Sequence, residues 1–503
     1  MPSPLRMLAT AALLGALLTA CATSEASIRP TETFTARPPH TPTSSPALEP
    51  ATPQALRLDH GRQSPGVIAA GGADAVYNYA PAVMSDGGRY RMWWCSQLGT
   101  AVPPGDDILY AESTSLDGGF TGPDGSPGTS VFSGSGRGFD AVHTCDPSVV
   151  RAGGTYYLYY GGSDGNPSYG TAIGLATSPD GRTWTRVGDR PIVEPARDAA
   201  HPNLYGAGQP SAVFLDGWFY LMFTDTTGRD VRNADGAGQF LLRAKDPTFA
   251  SGVETITPGG FRPMPDTRSR FRSVAAEFSA DLMWVDALDA FAIAAEGPDG
   301  TTITFWDKDF RTNPYPKVLI AGPWREGPGL VRRADGHAVI PVDTPCDLVP
   351  LDLVRATADT GSGPTALRHF GADLVDVNAC ATPERAVRTL DGYAMPSPSR
   401  TVDLVLGGGI VRVDRRSVAE QIAVQVLDRR LPVLDKIPVT ARITPNLPAI
   451  RAPGRGLGLI IDNRLWAVPS ATVAERNSSI IADVPAPIWD AYERGPDLVP
   501  PPR

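Results

Sequence analysis

From Asp146 the chain reads DPSVVRAGGTYYLYYGGSDG and continues, after a short loop, to IGLATSPDGRTWTRV. An apolar run, a Gly-Gly turn, an aromatic run, a loop, a third run ending in Ser178, an Asp-Gly turn and a last run with Trp184 predict four antiparallel strands in one meander. The internal spacing recurs. Asp146 stands twelve residues before Leu158, Ala80 twelve before Met92, Gln209 twelve before Leu221, Asp281 twelve before Ile293, and Gly327 twelve before Val339. Four of these five positions are followed by proline, Asp281 being the exception. A single meander cannot bury its own apolar faces, so a repeated one predicts sheets stacked face to face in a ring or array. Gly 52 and Pro 50 in 503 residues supply the turns such an array needs and leave little room for long helices.

The blade DPSVV–GTYYLYY–IGLATSPDGRTW and its weaker copies resemble the five-bladed β-propellers of the glycoside hydrolase superfamily that includes arabinanases, β-xylosidases, fructosidases and mannoside phosphorylases, over roughly residues 65–380. The expected fold class is all-β: a five-bladed β-propeller with a small β-rich C-terminal accessory region. A six-bladed, sialidase-like ring is the alternative. The resemblance implies that the start of each blade's first strand faces a pocket at one end of the ring axis, where the family sets three carboxylates. Glycoside cleavage needs such groups, because one must protonate the leaving oxygen while another activates water or attacks the sugar, and their pKa values must be pushed apart.

Asp146 stands where the family carries an Asp. The first and third blades depart, with Ala80 and Gln209 at the expected acid positions. Other acids sit at later blade starts, so Asp146, Asp281, Glu326 and Glu277 are the candidate catalytic residues, Glu326 within a Glu-Gly-Pro motif. Candidate substrate-binding residues are Asn78, Trp94, His143, Gln209, Asp225, Arg272 and Trp284. Tyr205 and Trp93 are further stacking candidates, whereas Trp184 is expected to pack between blades. Each candidate also has an ordinary role open to it, as strand cap, ion-pair partner or core side chain.

Residues 1–20 have a short basic start and an apolar run too short to span a bilayer, ending Leu18-Thr19-Ala20 before Cys21. This resembles a bacterial lipoprotein signal, with Cys21 as the lipidated residue. The chain is therefore expected at the extracytoplasmic face of the cell membrane, held by lipid only. Residues 21–60 are rich in Thr, Pro, Ser and Ala and read as a disordered tether. The propeller is expected over 61–384 and the accessory region over 385–503, where SVAEQIAVQVLDRRL predicts a helix capped by Ser417. Four further cysteines in an exported chain suggest two disulfides. Of three pairings, Cys95–Cys145 with Cys346–Cys380 joins neighbouring repeats.

Net charge is −9, which argues against nucleic acid as a partner. No metal or other cofactor is expected, and nothing specifies ligands for a structural calcium. The expected partner is a polysaccharide or oligosaccharide, and the chain is expected to be a monomer. The function expected is a surface-anchored glycoside hydrolase using carboxylate general acid/base catalysis, on a polysaccharide containing arabinofuranose or other pentose units. The alternative is a non-catalytic glycan-binding lipoprotein on the same fold, which Ala80 and Gln209 favour.

Overall fold

The computed structural model describes residues 55–71, 75–98, 104–166, 170–200, 205–229, 238–357 and 366–498. Cys21 and most of the expected tether lie outside the described residues.

The first strand, β1 (Arg57–Gln63), is followed by a meander of β2 (Ala75–Asp86), β3 (Arg89–Leu98), β4 (Asp107–Ser113) and β5 (Thr129–Phe132). A second unit is β6 (His143–Ala152), β7 (Thr155–Ser163), β8 (Ala172–Ser178) and β9 (Thr185–Arg186). The third is β10 (Ala207–Leu215), β11 (Trp218–Asp225), β12 (Gly238–Ala244), β13 (Glu254–Thr257) and β14 (Gly260–Pro263). The fourth is β15 (Ala280–Val285), β16 (Ala290–Gly297), β17 (Gly300–Trp306) and β18 (Val318–Ala321), and the fifth begins with β19 (Glu326–Arg333), β20 (Leu348–Thr357) and β21 (Ala366–Val375). The outermost strand of this fifth unit is β1, which pairs antiparallel with β21. The N-terminal strand thus completes the last unit, and β1 begins within the stretch expected to be tether. The first strands neighbour one another in cyclic order, β2–β6–β10–β15–β19, and β19 returns to pair in parallel with β2.

The core lies between units, and strand periodicity explains it. In β7, Tyr156, Leu158 and Tyr160 face Trp93 and Tyr110 of the first unit, while Tyr159 faces Phe219, Leu221 and Phe223 of the third. Successive side chains leave a strand on opposite faces, so a strand buried on both sides reads as one continuous apolar run. The same division repeats between the third and fourth units at Tyr220 and Trp284, between the fourth and fifth at Phe305 and Leu351, and between the fifth and first at Val354 and Trp94.

In four first strands the residue before proline adopts a left-handed backbone. Ala80 has φ 45°, Asp146 49°, Gln209 47° and Gly327 50°. The ladder register slips at each of these points, between Tyr79 and Ala82, Cys145 and Ser148, Gly208 and Ser211, and Glu326 and Pro328. These are β-bulges, which re-aim side chains at a strand's end. For the three non-glycine residues the conformation costs on the order of 1–3 kcal/mol each. β15 has no bulge: Ala280, Asp281 and Leu282 pair in regular register with Ala295, Ala294 and Ile293. The spacing of twelve therefore places Asp281 two residues past the bulge position, level with Ser148 and Ser211.

The fifth unit differs from the sequence reading in a second respect. His337–Pro341 forms no strand, and β19 pairs with β20 instead. His337 is nonetheless fixed, its ring 3.0 Å from Asp286 Oδ2.

Beyond residue 380 lie two small mixed sheets. One holds β22 (Tyr393–Pro396), β23 (Val402–Leu406), β24 (Gly409–Val413), β25 (Gln425–Val426) and β26 (Val439–Ile443). The other holds β27 (Ala449–Ala452), β28 (Gly456–Ile461), β29 (Arg464–Val468) and β30 (Ile481–Asp483). The turn between β28 and β29 carries Asp462 and Asn463 at φ 49° and 61°, the residue types that tolerate this hairpin geometry. The expected helix is a seven-residue α-helix, Arg416–Ile422; Ser417 lies inside it and caps nothing, and the chain passes to β25 at Gln425. Both disulfides, Cys95–Cys145 and Cys346–Cys380, are formed.

Candidate active site

The five first strands begin around a narrow axial cavity of about 30 Å³, lined among others by Ala80, Asp146, Gln209, Asp281 and Gly327. That is room for about one water molecule, so a sugar ring has to sit outside it. The bulge turns Asp146 toward the axis and leaves it 8% exposed. Its Oδ2 accepts a 3.0 Å hydrogen bond from the Tyr205 hydroxyl, and the Gln209 backbone N–H also donates to its carboxylate. Burial, with the Asp106 charge behind it, pushes Asp146 up to about 7 despite these donors.

Glu326, the first residue of β19, stands directly before the Gly327 bulge. Burial, then the negative charges of Asp146 and Asp106, push its carboxyl up to about 7 as well. Tyr79 and Tyr205 feel both acids, and burial followed by those charges holds their hydroxyls well above the usual tyrosine range. Asp106, immediately before β4, is the third acid. It pairs with His143 Nδ1 at 3.0 Å and accepts from the Tyr77 hydroxyl. The hydrogen bond that His143 donates to the Asp106 carboxylate raises the His143 pKa. Asp106, Tyr79 and Glu296 were not singled out from sequence: Asp106 stands in GDDILY outside the first-strand motif, and only the fold brings it beside Asp146.

A second cavity, of about 490 Å³, adjoins Glu326 and is also lined by Glu277, Glu296, Trp324 and Arg325. Glu277 is exposed on its wall. Ser279 lines both this cavity and the axial one, and its hydroxyl accepts from Gln209 Nε2 at 2.9 Å.

Several expected site residues have structural roles instead. Asp281 receives Ser211 Oγ at 2.5 Å, Leu330 N at 2.7 Å and Leu282 N at 3.0 Å, with Arg332 at 3.3 Å, and so ties three first strands together. With both oxygens engaged it is not placed to exchange a proton with substrate. Asn78 and Trp94 are both buried and bind each other at 2.8 Å, inside the core rather than facing ligand. Trp284 is 1% exposed and donates to Asp286. Asp225 is fully buried in an ion pair with Arg270 at 2.9 Å and accepts from Thr227 and Ala196. Arg272 donates to the Phe310 carbonyl and lies over the Trp306 ring at 5.0 Å. Among the described residues, the one Cys/His/acid group close enough to ligate a metal is Cys95, Cys145 and Asp106. Its two sulfurs form the disulfide, which leaves a single carboxylate.

A scan against protein-family models finds no match, and neither does a search of curated proteins. Solved structures do match. One is a family 117 glycoside hydrolase from Zobellia galactanivorans, at 14% identity, covering 63% of this chain and 91% of the other, with a TM-score of 0.44. Another is an α-L-arabinofuranosidase from Podospora anserina, solved with cellotriose, at 12% identity over 63% and 97%, TM-score 0.39. A third is the catalytic domain of a family 62 α-L-arabinofuranosidase from Coprinopsis cinerea, at 13% identity over 64% and 98%, TM-score 0.38. All three are glycoside hydrolases, the class the blade motif resembles.

Proposed function

We propose that the chain is a glycoside hydrolase whose acid pair is Asp146 and Glu326, at the mouth of a five-bladed β-propeller. The observation that carries this reading is the convergence of a buried and a half-buried carboxyl, Asp146 and Glu326, both raised to about 7, at bulged ends of first strands. Perturbed acids in a cleft are the physical signature of proton-transfer sites. Their surroundings divide the roles. Both feel the Asp106 charge and both are raised to about 7, but Asp146 accepts hydrogen bonds from Tyr205 and the Gln209 backbone that favour its charged form, so Glu326 is assigned the protonated role. Glu326 then gives its proton to the glycosidic oxygen as the bond to the anomeric carbon breaks. Water adds to that carbon, and its proton passes to the carboxylate side of the pair. Glu326 is left charged and Asp146 protonated until Asp146 releases its proton to solvent and Glu326 regains one.

The substrate class in this reading is a polysaccharide or oligosaccharide. Pentose units, arabinofuranose among them, rest on the resemblance of the blade motif to arabinanases and β-xylosidases. The lipobox ending at Cys21 supports anchoring outside the cytoplasm, and two disulfides are in keeping with an oxidising compartment. The region 385–503 is read as an accessory module on the ring.

A specific observation favours a second reading, glycan capture without cleavage. Ala80 holds the same left-handed bulge as Asp146 but carries no carboxyl. The deciding experiment incubates the protein with arabinans, xylans and bacterial envelope glycans and measures released sugars. Loss of product in Asp146→Asn and Glu326→Gln, with binding retained, establishes the hydrolase. Saturable binding with no product from any glycan establishes capture.

A further inference from the structure

The wall segment 274–279 borders three cavities in succession. Ser279 belongs to the axial cavity and to the one beside Glu326, and Ala276 and Glu277 belong to that one and to a further cavity of about 540 Å³ over the fourth sheet. The wall is held at several points. Val274 and Ala275 exchange backbone hydrogen bonds with Gln239, whose Nε2 donates to the Glu277 carbonyl at 2.9 Å and the Phe278 carbonyl at 2.8 Å. On the opposite side, Trp324 is fixed by a 2.6 Å bond from its Nε1 to the Gly297 carbonyl. The far cavity has half-buried Thr302 and Thr304 on its floor and exposed Lys317 at its rim. Each of the two larger cavities has the volume of a ligand site, and they lie end to end from Glu326 outward.

We infer that these two cavities form one groove that holds several consecutive sugars of a glycan chain, running from the acid pair across the sheet β15–β18. This inference rests on the glycoside-processing reading above. A monosaccharide or a capped terminal unit would need only the cavity beside Glu326. The second, sharing a wall with it, gives a chain somewhere to continue. Hydroxyl groups and an amide line the outer part beside aromatic carbon, at Thr302, Thr304, Asn313, Trp306 and Tyr315, a mixture suited to a neutral sugar with polar edges and apolar faces. Glu296 closes the floor next to Glu326. Its side chain is 3% exposed, its Oε2 accepts from Thr301 at 2.9 Å and lies 3.8 Å from the Arg355 guanidinium, and its buried Oε1 has no donor among the described residues.

The test is calorimetric titration of the Glu326→Gln protein, which holds substrate without cleaving it. The probes are disaccharides and hexasaccharides of α-1,5-arabinan, β-1,4-xylan and β-1,2-mannan. At least one hexasaccharide is expected to bind ten or more times tighter than its disaccharide. Adding Thr304→Tyr, which fills the outer cavity, should abolish that gain. Lys317→Glu, on the exposed rim, should reduce it if the tyrosine variant does not fold. Equal affinity for the two lengths, or a length gain unaffected by Thr304→Tyr and Lys317→Glu, overturns the groove and leaves the hydrolase reading standing. Binding of none of the three glycans overturns both.

Discussion

The Tyr205 hydroxyl donates a 3.0 Å hydrogen bond to Oδ2 of Asp146, across the gap between the second and third units. That bond opposes the burial that raises Asp146, because it favours the ionised carboxylate. Tyr205→Phe removes the donor and keeps the ring that packs edge-on to Phe278 at 4.9 Å. Asp146 then ionises at higher pH. The acidic limb of kcat/KM should move up by about one pH unit, since hydrogen bonds to charged groups are worth about 1.5–3 kcal/mol. A purely structural tyrosine would lower the rate at every pH and leave the limb in place.

Glu326→Gln separates the general acid from a bystander. Loss of a positioned acid costs about 10²–10⁴-fold in rate, and that loss is expected with a sugar leaving group. A nitrophenyl glycoside, whose phenolate leaves unprotonated, should lose far less. Equal losses on the two substrates would remove Glu326 from the acid role. Asp281→Asn supplies the contrast. It weakens the bonds to Leu330 N and Ser211, so it should lower the melting temperature by several degrees, and the fraction that folds should keep its kcat.

Asp146 also links stability to pH. Its native pKa of about 7 lies above that of an exposed aspartate, about 4. Below pH 4 both native and unfolded chains hold the proton. Between 4 and 7 the native chain holds a proton that the unfolded chain has released, so stability falls as pH rises, and above 7 the penalty is complete. Asp146→Asn removes it. Relative to wild type, the variant should gain about 2–4 kcal/mol on going from pH 4 to pH 8, measured by urea unfolding at pH 4, 6 and 8. A constant difference across that range would mean that Asp146 ionises normally.

The architecture was legible because strand periodicity and turn residues are local signals. The run TYYLYY reads in the sequence as one strand of a meander, and it is one. The residue before proline in four first strands, Asp146 and Gly327 among them, recurs in the sequence as a spacing and is a bulge in the structure. Several other candidates are engaged by partners distant in the chain. Asp281 shares the spacing of Asp146, but without a bulge it falls level with Ser148 and Ser211, and both its oxygens are taken by first-strand donors. Asn78 and Trp94 satisfy each other, and Asp225 is taken by Arg270, pairings that no local pattern announces. Asp106 went unread for the converse reason: it lies between motifs, and only the neighbouring first strands bring its charge to Asp146.

Cys145 precedes Asp146, so the Cys95–Cys145 disulfide braces the second bulge against β3. Cys346–Cys380 lies against the Leu390–Tyr393 cluster, away from the acids. Closing loops of 50 and 34 residues should stabilise by similar amounts, about 3–4 kcal/mol each. Both double Ser variants should therefore melt earlier. Only Cys95→Ser with Cys145→Ser should also lose kcat in the protein that remains folded at 20 °C or so. Equal activity in the two variants would show that the bulge holds its shape without the bridge.

Arg62 ties the N-terminal strand into the fifth unit. Its guanidinium reaches Asp352 at 2.6 and 2.8 Å and Asp373 at 2.8 Å, and His369 bonds the same Asp352 at 2.7 Å. Burial acts to raise Asp352, but the bonds from His369 and Arg62 outweigh it and hold its pKa below the usual value. A carboxylate held low stabilises the fold above its unfolded pKa, and that contribution is lost as pH falls through the native one. Arg62→Ala leaves two partly buried acids short of a partner. Because Arg62 is itself 30% exposed, the expected cost is about 1–3 kcal/mol at pH 7, below that of a fully buried pair. The cost should shrink below pH 4 as Asp352 takes up a proton. Hydrogen exchange locates the effect: amides of β1 and β21 should open first in the variant, while those of the second and third units keep wild-type protection. Uniform acceleration across all five units would mean that the ring unfolds as one body, and that β1 is no separate latch.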